Sequence, residues 1–293
     1  MNKTRATLIG FTAILLWSLL ALLTAWSGTM PPFQMTAITF GIGALTGLIY
    51  FSSKGQMPTV PKGQGKAIAL GIAGLFFYHV LYFTALRNAP AVEASLIAYL
   101  WPLLIVVGSA LMPGETLKWQ HIVGALFGFG GAALILMSRG GELSGEGNWL
   151  GYGAAITCAF TWAAYSLTSR RFPEVSTDAV VIYCAATALL SVFCHLAFEA
   201  TVWPENWLQW AAIIGLGIGP LGIGFLTWDV GCKRGDIQIL GASSYAAPLL
   251  STVVLIVAGV TQANWTIFGA CVLITLGAVI AAKDMLFKQT PSA

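Results

Sequence analysis

Charge is what this sequence has least of. Only 9% of its 293 residues are Asp, Glu, Lys or Arg, against 57% hydrophobic, where a soluble domain carries about 25% charged residues. A soluble fold of this size is excluded, because it would lack the polar side chains to cover its surface. The formal net charge is only +3, and Lys and Arg form no basic stripe, so nothing points to a nucleic-acid partner. Cysteine is sparse and never paired in spacing. Cys158, Cys184, Cys194, Cys232 and Cys271 are scattered singly, mostly in apolar stretches, which fits small core residues and not zinc or redox chemistry. His79, His121 and His195 fall on separate segments without ligand spacing. No triad, metal constellation or phosphate loop is present, so neither an enzyme nor a cofactor is called for. Carboxylates at the centre of apolar segments are missing too. Glu93 and Asp229 fall near segment ends, where water is expected to reach them.

What is there is long apolar runs. About 20 such residues cross a bilayer, and runs of that length recur near 6–26, 33–51, 67–86, 91–112, 119–138, 149–169, 177–198, 208–230, 236–258 and 264–282. The first is long enough to span and has no small-residue cleavage site, so it reads as a span and not a leader. Turn chemistry separates the runs: Pro31-Pro32, Lys54 to Lys66, Asn88 to Pro90, Pro113-Gly114, Gly140 to Gly147, Pro173 and Pro204. With the N-terminus in the cytoplasm, Lys3, Arg5, Lys54, Lys62, Lys66, Lys118, Arg170, Arg171, Lys233, Arg234, Lys283 and Lys288 all fall inside. Only Arg87 and Arg139 then fall outside. The positive-inside rule therefore places both termini in the cytoplasm. Trp26, Trp119, Trp203, Trp207 and Trp265 lie at span ends and read as interface anchors.

The halves are alike. Tyr99-Leu-Trp-Pro102-Leu-Leu aligns with Tyr245-Ala-Ala-Pro248-Leu-Leu at an offset of 146. Trp17 aligns with Trp162, and Gly114-x-Thr116 with Gly124-Ala125 aligns with Gly259-x-Thr261 with Gly269-Ala270, each at an offset of 145. Five spans per half is an odd number, so the second copy enters from the opposite side and is inverted. The expected fold is an all-α integral membrane protein of ten transmembrane helices. It divides into a first five-helix repeat over 1–140 and an inverted second over 148–293. Inverted repeats suit alternating access, in which two similar bundles open a central site to one side and then the other.

These residues resemble the drug/metabolite transporter superfamily, in its ten-helix EamA-type members. The opening Ala6-Thr-Leu-Ile-Gly-x5-Leu16-Trp17-Ser18, Tyr99-Leu-Trp-Pro102 and Trp162-Ala-Ala-Tyr165 are similar to the YddG-type aromatic amino acid exporters of bacteria, over essentially the whole chain. The resemblance implies a multi-pass inner-membrane carrier that moves amino acids outward, aromatic ones among them.

A transport site belongs near mid-membrane, where helices break. Pro102 and Pro248 interrupt the fourth and ninth spans, each removing a backbone donor and freeing carbonyls for a ligand or water. Both read as hinges or site walls. Gly215, Gly217, Gly219, Gly222 and Gly224 surround Pro220 in the eighth span. Gly215 and Gly219 form a small-xxx-small packing pair, and Gly219-Pro220 a further hinge. Candidate substrate-binding residues are Trp17, Tyr78, His79, Tyr82, Tyr99, Trp101, Trp162, Ser244 and Tyr245. Their rings offer stacking surfaces worth up to about 1.5 kcal/mol per pair and faces for an ammonium. Without a central carboxylate, the site fits zwitterions better than cations. The reading is an amino acid exporter, working as a monomer on a small-molecule substrate within membrane lipid. An exporter of another metabolite or an amphiphilic drug stays open, as does a membrane enzyme or scaffold without transport.

Overall fold

The computed structural model describes residues 1–59, 63–89, 91–138, 149–259, 262–281 and 283. Lys62, Pro90, Arg139, Thr261, Lys288 and the stretch 140–147 lie outside them. Every regular element among the described residues is helical. The order is α1 (Lys3–Trp17), α2 (Leu20–Trp26), α3 (Pro32–Ser53), α4 (Gly65–Asn88), α5 (Ala91–Ala98), α6 (Trp101–Gly108) and α7 (Trp119–Ser138). Then come α8 (Trp149–Ser169), α9 (Ala179–Phe198), α10 (Trp207–Ile218), α11 (Gly224–Arg234), α12 (Ile237–Ser243), α13 (Ala246–Val257) and α14 (Trp265–Ala281).

These helices make ten stretches, because α1 runs into α2, α5 into α6, α10 into α11 through a π turn at Gly219–Ile223, and α12 into α13. Seven stretches are clearly long and apolar enough to cross a membrane: Lys3–Trp26, Pro32–Ser53, Gly65–Asn88, Glu93–Leu111, Ala179–Phe198, Trp207–Arg234 and Ile237–Val257. The chain is thus an all-α multi-pass membrane protein. Side chains satisfy the backbone where helices begin. Asn2 accepts from Arg5 N, Asn206 from Gln209 N and Asp236 from Ile239 N. Threonine hydroxyls inside the spans bond back one turn, as Thr46 does to Ile42 O and Thr252 to Pro248 O. No polar hydrogen is left facing hydrocarbon at those positions.

Packing pairs the spans two by two: α3 on α9, α4 on α8, α1 on α11 and α7 on α14. Small residues permit the closest approaches. A Cβ on Gly10 would stand 2.9 Å from the Cα of Gly231, and one on Gly124 would stand 2.5 Å from the carbonyl oxygen of Gly277. Trp26, Trp119, Trp203, Trp207 and Trp265 are all exposed at helix ends or in the adjoining loop, and Trp149 joins them.

Two expectations need correction. The close contact around Pro220 is made by Gly217 and Gly222, not by Gly215 and Gly219. A Cβ on Gly217 would meet Ile42 Cβ at 2.5 Å, and one on Gly222 would lie 3.3 Å from the Cα of Gly43, whereas Gly215 and Gly219 have room. The reason is the π turn. It places same-face positions five residues apart, where an α-helix places them four apart. Glu93 and Asp229 are buried as well, 8% and 1% exposed. Tyr152 donates to Glu93. Asp229 pairs with Lys233 at 2.9 Å and accepts from the Thr177 hydroxyl at 2.8 Å. Polar partners take the place of water: Lys233 one turn on along the same helix, and Tyr152 and Thr177 from other segments.

Candidate functional site

The spans that break or cross at mid-height bring a set of aromatic rings together. Trp17 ends α1, Trp101 opens α6, Trp162 lies in α8, and Phe225 and Trp228 lie one turn apart on α11. The ring of Trp17 is 5.0 Å from Trp228, 5.7 Å from Trp162, 6.0 Å from Phe225 and 6.4 Å from Trp101, mostly edge-to-face. Trp162 also meets Tyr78 at 5.0 Å, and Tyr78 stacks on Tyr82 with planes 2° apart. His79 stands edge-on to Phe40 at 4.9 Å, and Phe40 stacks on Phe225 at 5.5 Å. Of the expected residues, Trp17, Tyr78, His79, Tyr82, Trp101 and Trp162 therefore form one connected aromatic body. Trp101 and Trp162 are buried, while Trp17, Tyr78, His79 and Tyr82 are half-buried.

Polar atoms in this body differ in what they have. The Trp17 indole donates to the carbonyl of Pro220 at 3.1 Å. That carbonyl is free because the π turn sends the next amide, Gly224 N, to Gly219 O. The Trp228 indole donates to Ser166 Oγ at 3.1 Å. The Trp162 indole N–H is buried without a partner, and such a donor costs about 1–3 kcal/mol until something accepts from it. His79 Nδ1 lies 2.7 Å from the Leu75 carbonyl. A carbonyl only accepts, so Nδ1 carries the hydrogen, and in the neutral ring Nε2 is left as an acceptor. The site therefore holds a vacant donor, a ring nitrogen acceptor and several aromatic faces. That set matches a carboxylate, an ammonium and an apolar side chain.

The proposed hinges lie where helices break. Tyr99-Leu100 separates α5 from α6 just before Pro102, Ser244-Tyr245 separates α12 from α13 just before Pro248, and Gly219-Pro220 opens the π turn. Ser244 and Tyr245 do not join the aromatic body. Tyr99 and Tyr245 belong to a second cluster with Phe129 of α7, 6.0 Å from Tyr245, and Ser244 bonds back to Leu240 O. Tyr245 is fully buried, and its hydroxyl accepts from Leu103 N at 3.2 Å. The kink at Pro102 moves that amide off its own helix ladder, so a tyrosine from one break satisfies the backbone of the other. Tyr245→Phe is expected to cost about 1–3 kcal/mol, seen as a lower unfolding temperature in detergent. An unchanged temperature would show the bond to be dispensable.

Phe40, Phe225 and Trp228 were not singled out from the sequence. A signal for two of them existed. Shifting His79 and Tyr82 by the repeat offset of 146 lands on Phe225 and Trp228.

Known proteins resemble this chain over most of its length. The model of the EamA-like transporter family matches twice, over residues 4–137 and 149–282. The aromatic amino acid exporter YddG of Ancylobacter novellus is 49% identical over 282 residues, covering 96% of this chain and 98% of its own. YddG of Escherichia coli K12 is 27% identical over 265 residues, covering 86% and 88%. A pseudopaline exporter of Pseudomonas aeruginosa is 28% identical over 214 residues, 71% of each chain. One solved crystal structure, 48% identical, superposes with a TM-score of 0.91 over 98% of this chain and 100% of its own.

Proposed function

The chain belongs to the EamA-like transporter family, and from that premise we propose that it exports amino acids, aromatic and other neutral ones, across the inner membrane through the aromatic body around Trp162. It is a transporter and not an enzyme. The observation that carries the substrate class is the unpartnered Trp162 indole, set among rings contributed by five spans. A substrate carboxylate satisfies that donor, His79 Nε2 or a ring face receives the ammonium, and an aromatic side chain stacks between Trp17, Tyr78 and Trp101. The 49% identical relative is an aromatic amino acid exporter, which supports the same substrate class.

The mechanism is alternating access between two inverted five-helix halves, 1–140 and 148–293, with both termini in the cytoplasm. Three observations support it. The family model matches each half separately. The packing pattern survives exchange of the halves: first span on eighth corresponds to sixth on third, and both pairs are in contact. Gly114 and Gly259, at the ends of the fourth and ninth spans, both take positive φ, +79° and +73°. Pro102, Pro248, Gly219 and Pro220 serve as the hinges, and one chain holds both halves of the site, so the working unit is a monomer.

Flux of radiolabelled phenylalanine into liposomes holding the purified protein tests this reading. Saturable flux that threonine and methionine block, and an organic cation does not, is the expected result. No flux above empty liposomes, in protein shown to be folded, would reject it in favour of another metabolite or an amphiphilic drug.

A further inference from the structure

Polar side chains tie one end of the bundle together. Arg170, just beyond α8, pairs with Glu115, and its Nη1 donates to the carbonyls of Cys232 at 2.9 Å and Gly235 at 2.8 Å. These carbonyls belong to the end of α11, where a cation is favoured. Lys3 bridges Asp236 at 2.9 Å and Glu115 at 3.7 Å. The backbone N–H of Asp236 donates to the Thr7 hydroxyl. The Gln238 amide donates to Ser109 Oγ at 2.9 Å and to Thr116 O at 3.2 Å. The network therefore joins the first, fourth, sixth, eighth and ninth spans at the end that carries the N-terminus. The Glu115 and Arg170 side chains are only 6% and 19% exposed, so water screens them far less than a surface pair.

The opposite end is tied differently. There Glu199 accepts from Phe33 N and Gln34 N and pairs with Arg87, while Tyr152 donates to Glu93. Those contacts join the second span to the seventh, the third to the seventh and the fourth to the sixth. They leave out the first, eighth and ninth. The repeat explains the difference. At an offset of 145, Lys3 corresponds to Asn148, Glu115 to Val260 and Arg170 to Ala25, and at 146 Gln238 corresponds to Val92. None of these counterparts carries a charge, and only Asn148 is polar, so the second copy of the repeat cannot reproduce these ion pairs at the other end.

We propose that Arg170 and Glu115 are positioning residues of the transport cycle: their network holds the aromatic site closed on the N-terminal side, and its release admits substrate from there. The inference rests on the alternating-access reading above. Two inverted halves of identical sequence would give two end states of equal energy. Among the described residues the polar tie across the first, eighth and ninth spans is found at the N-terminal end, and such a tie shifts that balance toward the state closed there. Losing a hydrogen-bonded charge pair of this kind moves such an equilibrium on the order of 10- to 100-fold.

Two cysteine reporters test it in full-length protein in liposomes. Cys232 is native, buried beneath the Arg170 contact, and is kept while the other four cysteines are replaced by alanine. Ser95→Cys, half-buried near the other end, is placed in a version with all five native cysteines replaced. With Glu115→Gln, a membrane-impermeant maleimide is expected to label Cys232 about 10- to 100-fold faster from the N-terminal side and Ser95→Cys more slowly from the other. Lys3→Met, at a half-exposed side chain, is expected to shift both in the same senses by a few-fold. Arg170→Lys keeps the charge and is expected to fall between wild type and Glu115→Gln. Unchanged labelling, or a rise at both reporters, would overturn the proposal, the second because it reports general loosening. Phenylalanine flux with unchanged labelling rejects the lock and keeps the carrier. Reciprocal labelling without amino acid flux keeps the lock and rejects the substrate reading.

Discussion

Exchanging Trp162 for phenylalanine is expected to weaken the apparent affinity for amino acid substrates about 10- to 100-fold, the equivalent of roughly 1.5–3 kcal/mol for a hydrogen bond to a charged group. Phenylalanine keeps a ring against Trp17, Tyr78, Trp101 and Trp228, so most of the packing survives. What it loses is the one indole N–H of the cluster that the protein buries without a partner. Unpartnered, that N–H is a liability, and removing it should leave the protein as stable as before or slightly more so. Stability and affinity then move in opposite directions, which a purely structural tryptophan would not produce. The comparison is flux against substrate concentration, with unfolding temperature measured on the same protein. An unchanged KM would limit Trp162 to packing. Trp17→Phe is the informative partner, because it breaks a bond to Pro220 O that the fold itself makes. Its cost should fall on stability first.

Gly277→Leu is expected to abolish most of the folded carrier. The seam between α7 and α14 is built from backbone meeting backbone. A Cβ at Gly277 would stand 2.5 Å from the Gly124 carbonyl oxygen and 2.9 Å from Gly128 N, and these atoms cannot swing aside as a side-chain tip can. In lipid, helices associate through close packing and not through exclusion of water. Forcing this pair apart removes the source of its attraction, beyond the usual 1–3 kcal/mol or so of an overpacked core. Gly269→Leu, on the same helix but facing open space, is the control and should leave yield and elution unchanged. The measurement is the monodisperse fraction after extraction into detergent. Equal yields for the two variants would show that the seam tolerates separation.

The spans, their breaks and the pairing of Pro102 with Pro248 were legible in the sequence because they obey one-dimensional rules. Hydrocarbon demands about 20 apolar residues in a row, and proline cannot continue a helix ladder. The aromatic residues of the fourth helix were legible for the same reason, since Tyr78 and Tyr82 are one turn apart by spacing alone. Trp228 and Phe225 were legible only through the repeat offset, which had to be applied to His79 and Tyr82 to find them.

The sequence by itself determined that the chain lives in a membrane, crosses it many times and carries aromatic side chains where its helices break. Each of those follows from the solvent and the local backbone. Only the tertiary structure decided which aromatics meet, because that depends on helix pairing. It sent Tyr245 to the backbone of Leu103 and away from the rings around Trp162, buried Asp229 against Lys233 and Thr177, and moved the glycine contact to Gly217 and Gly222 through a π turn. It also brought Lys3, Glu115, Arg170 and Gln238 to one end of the bundle. The physical reason is common to all four. A buried polar group or a close backbone contact is settled by its partner, and here, apart from Lys233 on Asp229's own helix, each partner comes from a different span or from a local change of helix pitch that composition does not encode.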